Sequence, residues 1–229
     1  AVVVGATGIG KSQLGVQFAD AGTQQEGRRG IFFDLSYRGD SQSHADYAQR
    51  MCDWAIRKRD PAFHPLFENY FATDREEFDY LRLFDFAGRR ATVRASDFDA
   101  YRDWHAEIVS RLNVAIDFFY GNFVRGTRRA VVDGVDPSDK QADSFQFELF
   151  DYIYHQILRK EHDWVARDLF RQEFRQHAAE VAAHAYDHTQ VGCLMLYTSH
   201  ESLLEQLIDR PLDDRDWLAA ANTVIYMGK

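Results

Sequence analysis

Eight consecutive residues, Gly5-Ala6-Thr7-Gly8-Ile9-Gly10-Lys11-Ser12, carry the pattern Gly-x4-Gly-Lys-Ser with an extra glycine at position 8. Residues of these types at this spacing predict a loop that wraps a chain of phosphates. Glycines let the backbone turn its N–H groups inward and approach phosphate oxygens closely. A helix starting behind the loop adds its positive end and its unpaired N–H donors. Lys11 supplies a point charge for the terminal phosphates, the Ser12 hydroxyl suits Mg2+, and Gln13 completes the binding stretch.

A Mg2+ held this way needs an acid at the end of a neighbouring strand to fix its water shell. Ala130-Val131-Val132-Asp133, followed by Gly134, has that form, which makes Asp133 the expected metal partner of Ser12. Asp85 is the rival, behind a less purely apolar approach. The third candidate acid, Asp34, ends Gly30-Ile31-Phe32-Phe33-Asp34, and would either face the nucleotide or cap a turn; Asp40 reads as a solvated turn residue. Lys11, Asp133 and Asp34 are thus the groups expected to carry catalysis. Arg89, Arg90 and Arg94 read as a solvated edge, with a lid over phosphates as the alternative. His184 and His188 have zinc-ligand spacing, but with no third ligand in view they read as a polar helix face.

These side chains need strands and helices to hold them. Val2-Val3-Val4 predicts a buried strand before the loop, and Lys11 to Ala21 a helix with Leu14, Phe18 and Ala21 inward and Gly22 as its stop. The second strand spans Gly30 to Leu35. A helix capped by Ser43 would place Ala45, Ala48, Cys52 and Ile56 inward and end at Asp60-Pro61. Phe63 to Phe78 gives no clear element. Tyr80 to Phe86 reads as the third strand, and Ser96-Asp97 opens a long helix carrying Tyr101, His105, Ile108, Leu112, Ala115 and Phe119 on its apolar stripe. The fourth strand holds Asp133. Two helices come next, one around Phe150 to Ile157 and one from Val165 to Ala185. Cys193 to Thr198 is the fifth strand, Glu201 to Ile208 a short helix, and Thr223 to Met227 the sixth strand. Strands alternating with helices imply an α/β fold, a three-layer α/β/α sandwich on a mostly parallel sheet.

The chain has 229 residues, 4 prolines and no visible linker, which fits one domain spanning 1–229. A strand interior at Ala1-Val2 implies a piece of a longer protein. The net charge of -9 argues against a dedicated nucleic-acid binder. No apolar run reaches the length of a membrane span. The two cysteines, Cys52 and Cys193, read as small core residues in a chain suited to a reducing cytoplasm.

The loop at Gly5 to Ser12, the subsequent Gln17-Phe18, Ser36 after the second strand, and Arg128-Arg129-Ala130-Val131-Val132-Asp133 resemble the RecA superfamily, most closely its KaiC-like branch. That resemblance implies an ATPase or ATP-driven switch, with ATP and Mg2+ as cofactors. It also implies a homo-oligomeric ring or a protein partner, because such cores complete their site with a basic residue from the next subunit. Two adjacent glutamates after the second strand are usual in the branch. Here Ser36-Tyr37 stands at that place, so the resemblance implies slow hydrolysis, or a nucleotide-sensing module with little hydrolysis. A P-loop small-molecule kinase is the third reading. Thr198-Ser199 matches the branch's signature at the fifth strand only with His200 inserted before Glu201.

Overall fold

The computed structural model describes residues 1–36, 43–60, 76–83, 98–123, 125–135, 194–201 and 223–228. Seven strands are described: β1 (Val2–Gly5), β2 (Ile31–Asp34), β3 (Lys58–Arg59), β4 (Tyr80–Arg82), β5 (Arg129–Val135), β6 (Leu194–His200) and β7 (Val224–Met227). Four helices accompany them: α1 (Lys11–Asp20), α2 (Gly22–Gln25), α3 (His44–Cys52) and α4 (Phe98–Phe123). The strands form one sheet in the order β3-β4-β2-β5-β6-β1-β7, and every pairing is parallel. The fold is therefore α/β.

Short apolar runs make these strands because a parallel sheet is covered on both faces and rewards β-branched and aromatic residues. Val2, Val3, Val4, Ile31, Phe32, Phe33, Val131 and Val132 are all buried. Alternate residues point to opposite faces. Phe32 and Val131 lie under α1, where a side-chain carbon on Gly15 would come within 2.9 Å of Val131 Cγ1 and 3.3 Å of Phe32 Cε2. Phe33 faces the other way and meets Phe118 of α4 edge-on, with ring centres 5.1 Å apart.

Strand register brings the two candidate acids together. Asp34 of β2 lies beside Asp133 of β5, so both carboxylates stand at the carboxyl end of the sheet, on the same face. β5 slips against β6 between Val132 and Val135: Val132 pairs with Tyr197, but Val135 pairs with Ser199. One extra residue in β5 makes a bulge at Asp133-Gly134. Gly134 accommodates it with φ at +84°, and a side chain there would press to 2.9 Å from the Ser36 backbone nitrogen.

Several elements differ from expectation. The inner face of α1 is Gly15, Val16 and Ala19, with Leu14 and Phe18 packed at its margin. α1 ends at Asp20, just before the expected stop, and a short separate helix, α2, begins at Gly22 itself. Ser43 does cap α3, its hydroxyl accepting from the Asp46 N–H at 3.2 Å. But α3 stops at Cys52, where Asp53 takes the left-handed conformation at φ 48° and the Trp54 N–H turns back to the Ala48 carbonyl at 3.1 Å. Ile56 reaches the core from beyond the helix, and Cys52 is half-buried rather than internal. β3 has no counterpart among the six expected strands. Asp40, Asp85, Arg89, Arg90, Arg94, Cys193, His184, His188 and the two helices between Phe150 and Ala185 lie outside the described residues. Among the described residues no helix is long and apolar enough to cross a membrane.

Candidate phosphate-binding site

The loop from Gly5 to Gly10 joins β1 to α1. Gly8 and Gly10 adopt φ of +82° and +102°, backbone conformations that strain any residue with a side chain. Gly10 is the N-cap of α1 and offers no side chain to the helix end, which leaves the first N–H groups of α1 without a side-chain cap. Gly8, Gly10, Lys11, Ser12 and Gln13 line a cavity together with Tyr47 of α3. Ala6, Thr7 and Ile9 complete the loop between them.

Lys11 folds over this cavity and donates to the carbonyls of Gly5 and Ala6, each at 2.8 Å. Burial lowers its pKa, while the charges of Asp133 and Glu201 partly restore it. Those two carbonyls hold the ammonium where a bound anion would draw it away.

The structure brings Ser12 and Asp133 together: the hydroxyl donates to Asp133 Oδ2 at 2.8 Å. This joins the first turn of α1 to the end of β5 across residues far apart in sequence. Asp133 is 2% exposed. Its other oxygen accepts from the Thr198 hydroxyl on β6, and Thr198 Oγ1 in turn accepts from the Gly134 N–H at 3.0 Å. Burial raises the pKa of Asp133. Hydrogen bonds from His44, Thr198 and Ser12 and the charge of His44 outweigh it, so the carboxyl sits below its ordinary value. It is an ionised carboxylate at neutral pH.

Asp34 both caps a turn and faces the site. Its Oδ1 accepts from the Ser36 N–H at 2.8 Å and from the Ser36 hydroxyl. Its Oδ2 accepts from the Tyr80 hydroxyl at 2.6 Å, with Arg82 Nε at 3.8 Å. Ser36 is therefore a ligand of Asp34. Tyr37 lies outside the described residues.

His44 has no place in the sequence-based site, yet it is the centre of this one. It opens α3, is 3% exposed, and its Nε2 lies 2.8 Å from Asp133 Oδ2. Its Nδ1 lies 3.0 Å from Tyr80 Oη and 3.5 Å from Asp34 Oδ2. Burial would lower its pKa, but the hydrogen bond and charge of Asp133 and the charge of Asp34 raise it above the usual imidazole value despite Arg82. Burial and Asp34 push the Tyr80 hydroxyl far above its ordinary value, so it is a fixed donor. Phe32 packs against both rings, 4.8 Å from His44 and 5.7 Å from Tyr80.

The donor set fits Mg2+ in one respect: Ser12, which lines the cavity, and Asp133 behind it bring two hard oxygens within 2.8 Å of each other. Among the described residues no group of three His, Cys, Asp or Glu could cage a metal by itself. A Mg2+ held by a hydroxyl, waters and substrate phosphates requires none. No protein-family model matches the chain, and no curated protein is matched by it.

Proposed function

We propose that the protein binds ATP with Mg2+ at the Gly5–Ser12 loop and acts as a RecA/KaiC-like ATPase or ATP-driven switch of slow turnover, on a three-layer α/β/α core. The observation that carries this reading is the Ser12–Asp133 hydrogen bond at 2.8 Å, beside Lys11 and a loop with two left-handed glycines. The parallel sheet and the order of its strands support it. Lys11 is the phosphate-facing charge and Gly5, Ala6, Thr7, Gly8, Ile9, Gly10 and Gln13 surround it. Ser12 and Asp133 hold the metal, which supplies charge neutralisation at the phosphates when bound.

Slow turnover is the consequence of how Asp34 is held. A carboxylate has about four acceptor sites. Ser36 takes two on Oδ1 and Tyr80 one on Oδ2, and His44 Nδ1 and Arg82 Nε stand 3.5 and 3.8 Å from that same Oδ2. Donors thus surround both oxygens, which leaves Asp34 little room to receive a proton from the attacking water. The same crowding favours, as a second reading, a nucleotide-sensing module that releases almost no phosphate.

The deciding experiment is calorimetric titration with ATP·Mg2+. Lys11→Ala is expected to weaken ATP binding roughly 100-fold, since a bond to a charged group contributes about 1.5–3 kcal/mol. Its melting temperature should stay within about 2 °C of wild type, because among the described residues Lys11 donates hydrogen bonds to its own loop. Wild-type affinity in that variant would sink the assignment.

A further inference from the structure

We propose that His44 and Tyr80 are positioning residues that hold Asp34 and Asp133 as one unit, so that the two carboxylates keep a fixed orientation toward each other. The inference rests on the ATPase reading of the site and adds to it the pair of residues on which turnover depends.

Asp34 and Asp133 are side by side in register on neighbouring strands. Two buried carboxylates so placed repel each other and would turn apart unless something tied them. His44 does so from a third element. Its Nε2 is on Asp133 Oδ2, the oxygen that also receives the Ser12 hydroxyl. Its Nδ1 faces Tyr80 Oη and Asp34 Oδ2. Tyr80 closes the path by donating to the same Asp34 oxygen. The chain Ser12–Asp133–His44–Tyr80–Asp34 thus draws on α1, β5, α3, β4 and β2.

Each acid is held from both of its oxygens. Ser36 anchors Oδ1 of Asp34 through its N–H and its hydroxyl. The Tyr80 hydroxyl holds Oδ2, and the Tyr80 ring is itself stacked on Phe32. His44 is the first residue of α3, a helix start that the Ser43 hydroxyl caps. Tyr47, one turn further along α3, lines the phosphate cavity, so the helix that carries His44 also borders the bound phosphates.

The test is steady-state ATP hydrolysis by the full chain. Tyr80→Phe keeps the stacked ring and removes one donor. It should lower kcat roughly 10-fold, the lower end of what an outer partner of a site acid contributes, with KM within about twofold. His44→Gln, which keeps a donor toward Asp133, should do the same and leave the Mg2+ requirement near wild type. His44→Ala should raise that requirement as well. The signature of positioning is non-additivity: Tyr80→Phe placed on Asp34→Asn should cost nothing further, whereas an independent structural role would multiply the two losses.

Multiplying losses would overturn the proposal, as would a Tyr80→Phe enzyme altered in KM alone. Wild-type protein that binds ATP but releases no phosphate would also overturn it, leaving nucleotide binding intact. Wild-type protein that fails to bind ATP would overturn both.

Discussion

Strand β5 buries a charge at each end, and the two ends are built differently. At its start Arg129 is 6% exposed. It pairs with Glu26 through two bonds of 2.8 and 3.0 Å, donates to the Phe18 carbonyl at 3.2 Å and to Gln25, and lies 4.8 Å from the Phe18 ring. All of those partners come from one stretch of chain, α1, α2 and the residue that caps α2. At its end Asp133 is received by two hydroxyls and an imidazole from α1, β6 and α3. The first arrangement matches a full charge with a full charge and closes on itself. The second gathers two hydroxyls and an imidazole around a carboxylate from three separate elements. A buried charge alone is thus not a mark of function; the two ends differ in how widely their partners are drawn.

The largest expected effect breaks the comparison at its structural end. Removing one member of a buried pair costs about 3–5 kcal/mol. Glu26 retains 22% exposure and can recover some hydration, so Arg129→Ala should lower the unfolding free energy by about 3 kcal/mol, the lower end of that range. Denaturant melts would show this, while calorimetry should find ATP affinity unchanged. A variant of full stability but weakened ATP binding would erase the contrast.

At the other end, Asp133→Asn and Asp34→Asn should each lower phosphate release roughly 100-fold, the low end of a positioned acid–base group or site acid. They differ in their metal dependence. Asp133→Asn should raise the Mg2+ concentration needed for half-maximal rate, because the amide loses the charge that holds the metal's waters. Asp34→Asn should leave it alone. Equal Mg2+ responses would mean that the two acids share one role.

The smallest effect is a slope. His44 has a raised pKa in the folded, metal-free chain. A raised pKa contributes stability that is complete below the unfolded value of about 6.5, and it is lost as pH rises through the folded value. In EDTA the melting temperature should therefore decline above about pH 6.5, and His44→Gln should flatten that decline. An unchanged slope in His44→Gln would assign the titration to another group.

The candidate phosphate loop was legible because its pattern is local: eight residues carry their own turn, charge and hydroxyl. Asp133 and Asp34 were legible because each ends an apolar run. His44 was not, since its partner Asp133 is 89 positions away and a histidine opening a helix leaves no pattern in sequence. Thr198 was noted only as part of a loose signature, although its hydroxyl secures Asp133. β3 escaped because Lys58-Arg59 is short and polar, a strand made by its pairing with Tyr80 and Leu81 rather than by composition. The early end of α3 escaped because a left-handed aspartate, unlike a glycine, does not announce a stop.

The bulge at Asp133-Gly134 gives the molecule an internal indicator. Gly134 spends its amide proton on Thr198 Oγ1, and the same hydroxyl gives its own proton to Asp133. The amide and the carboxylate therefore share one oxygen as a common listener. Any change in what Asp133 holds alters how strongly that oxygen can accept. Isotope labelling of glycine would turn the Gly134 resonance into a local dial, reading the state of the acid one atom away without touching it.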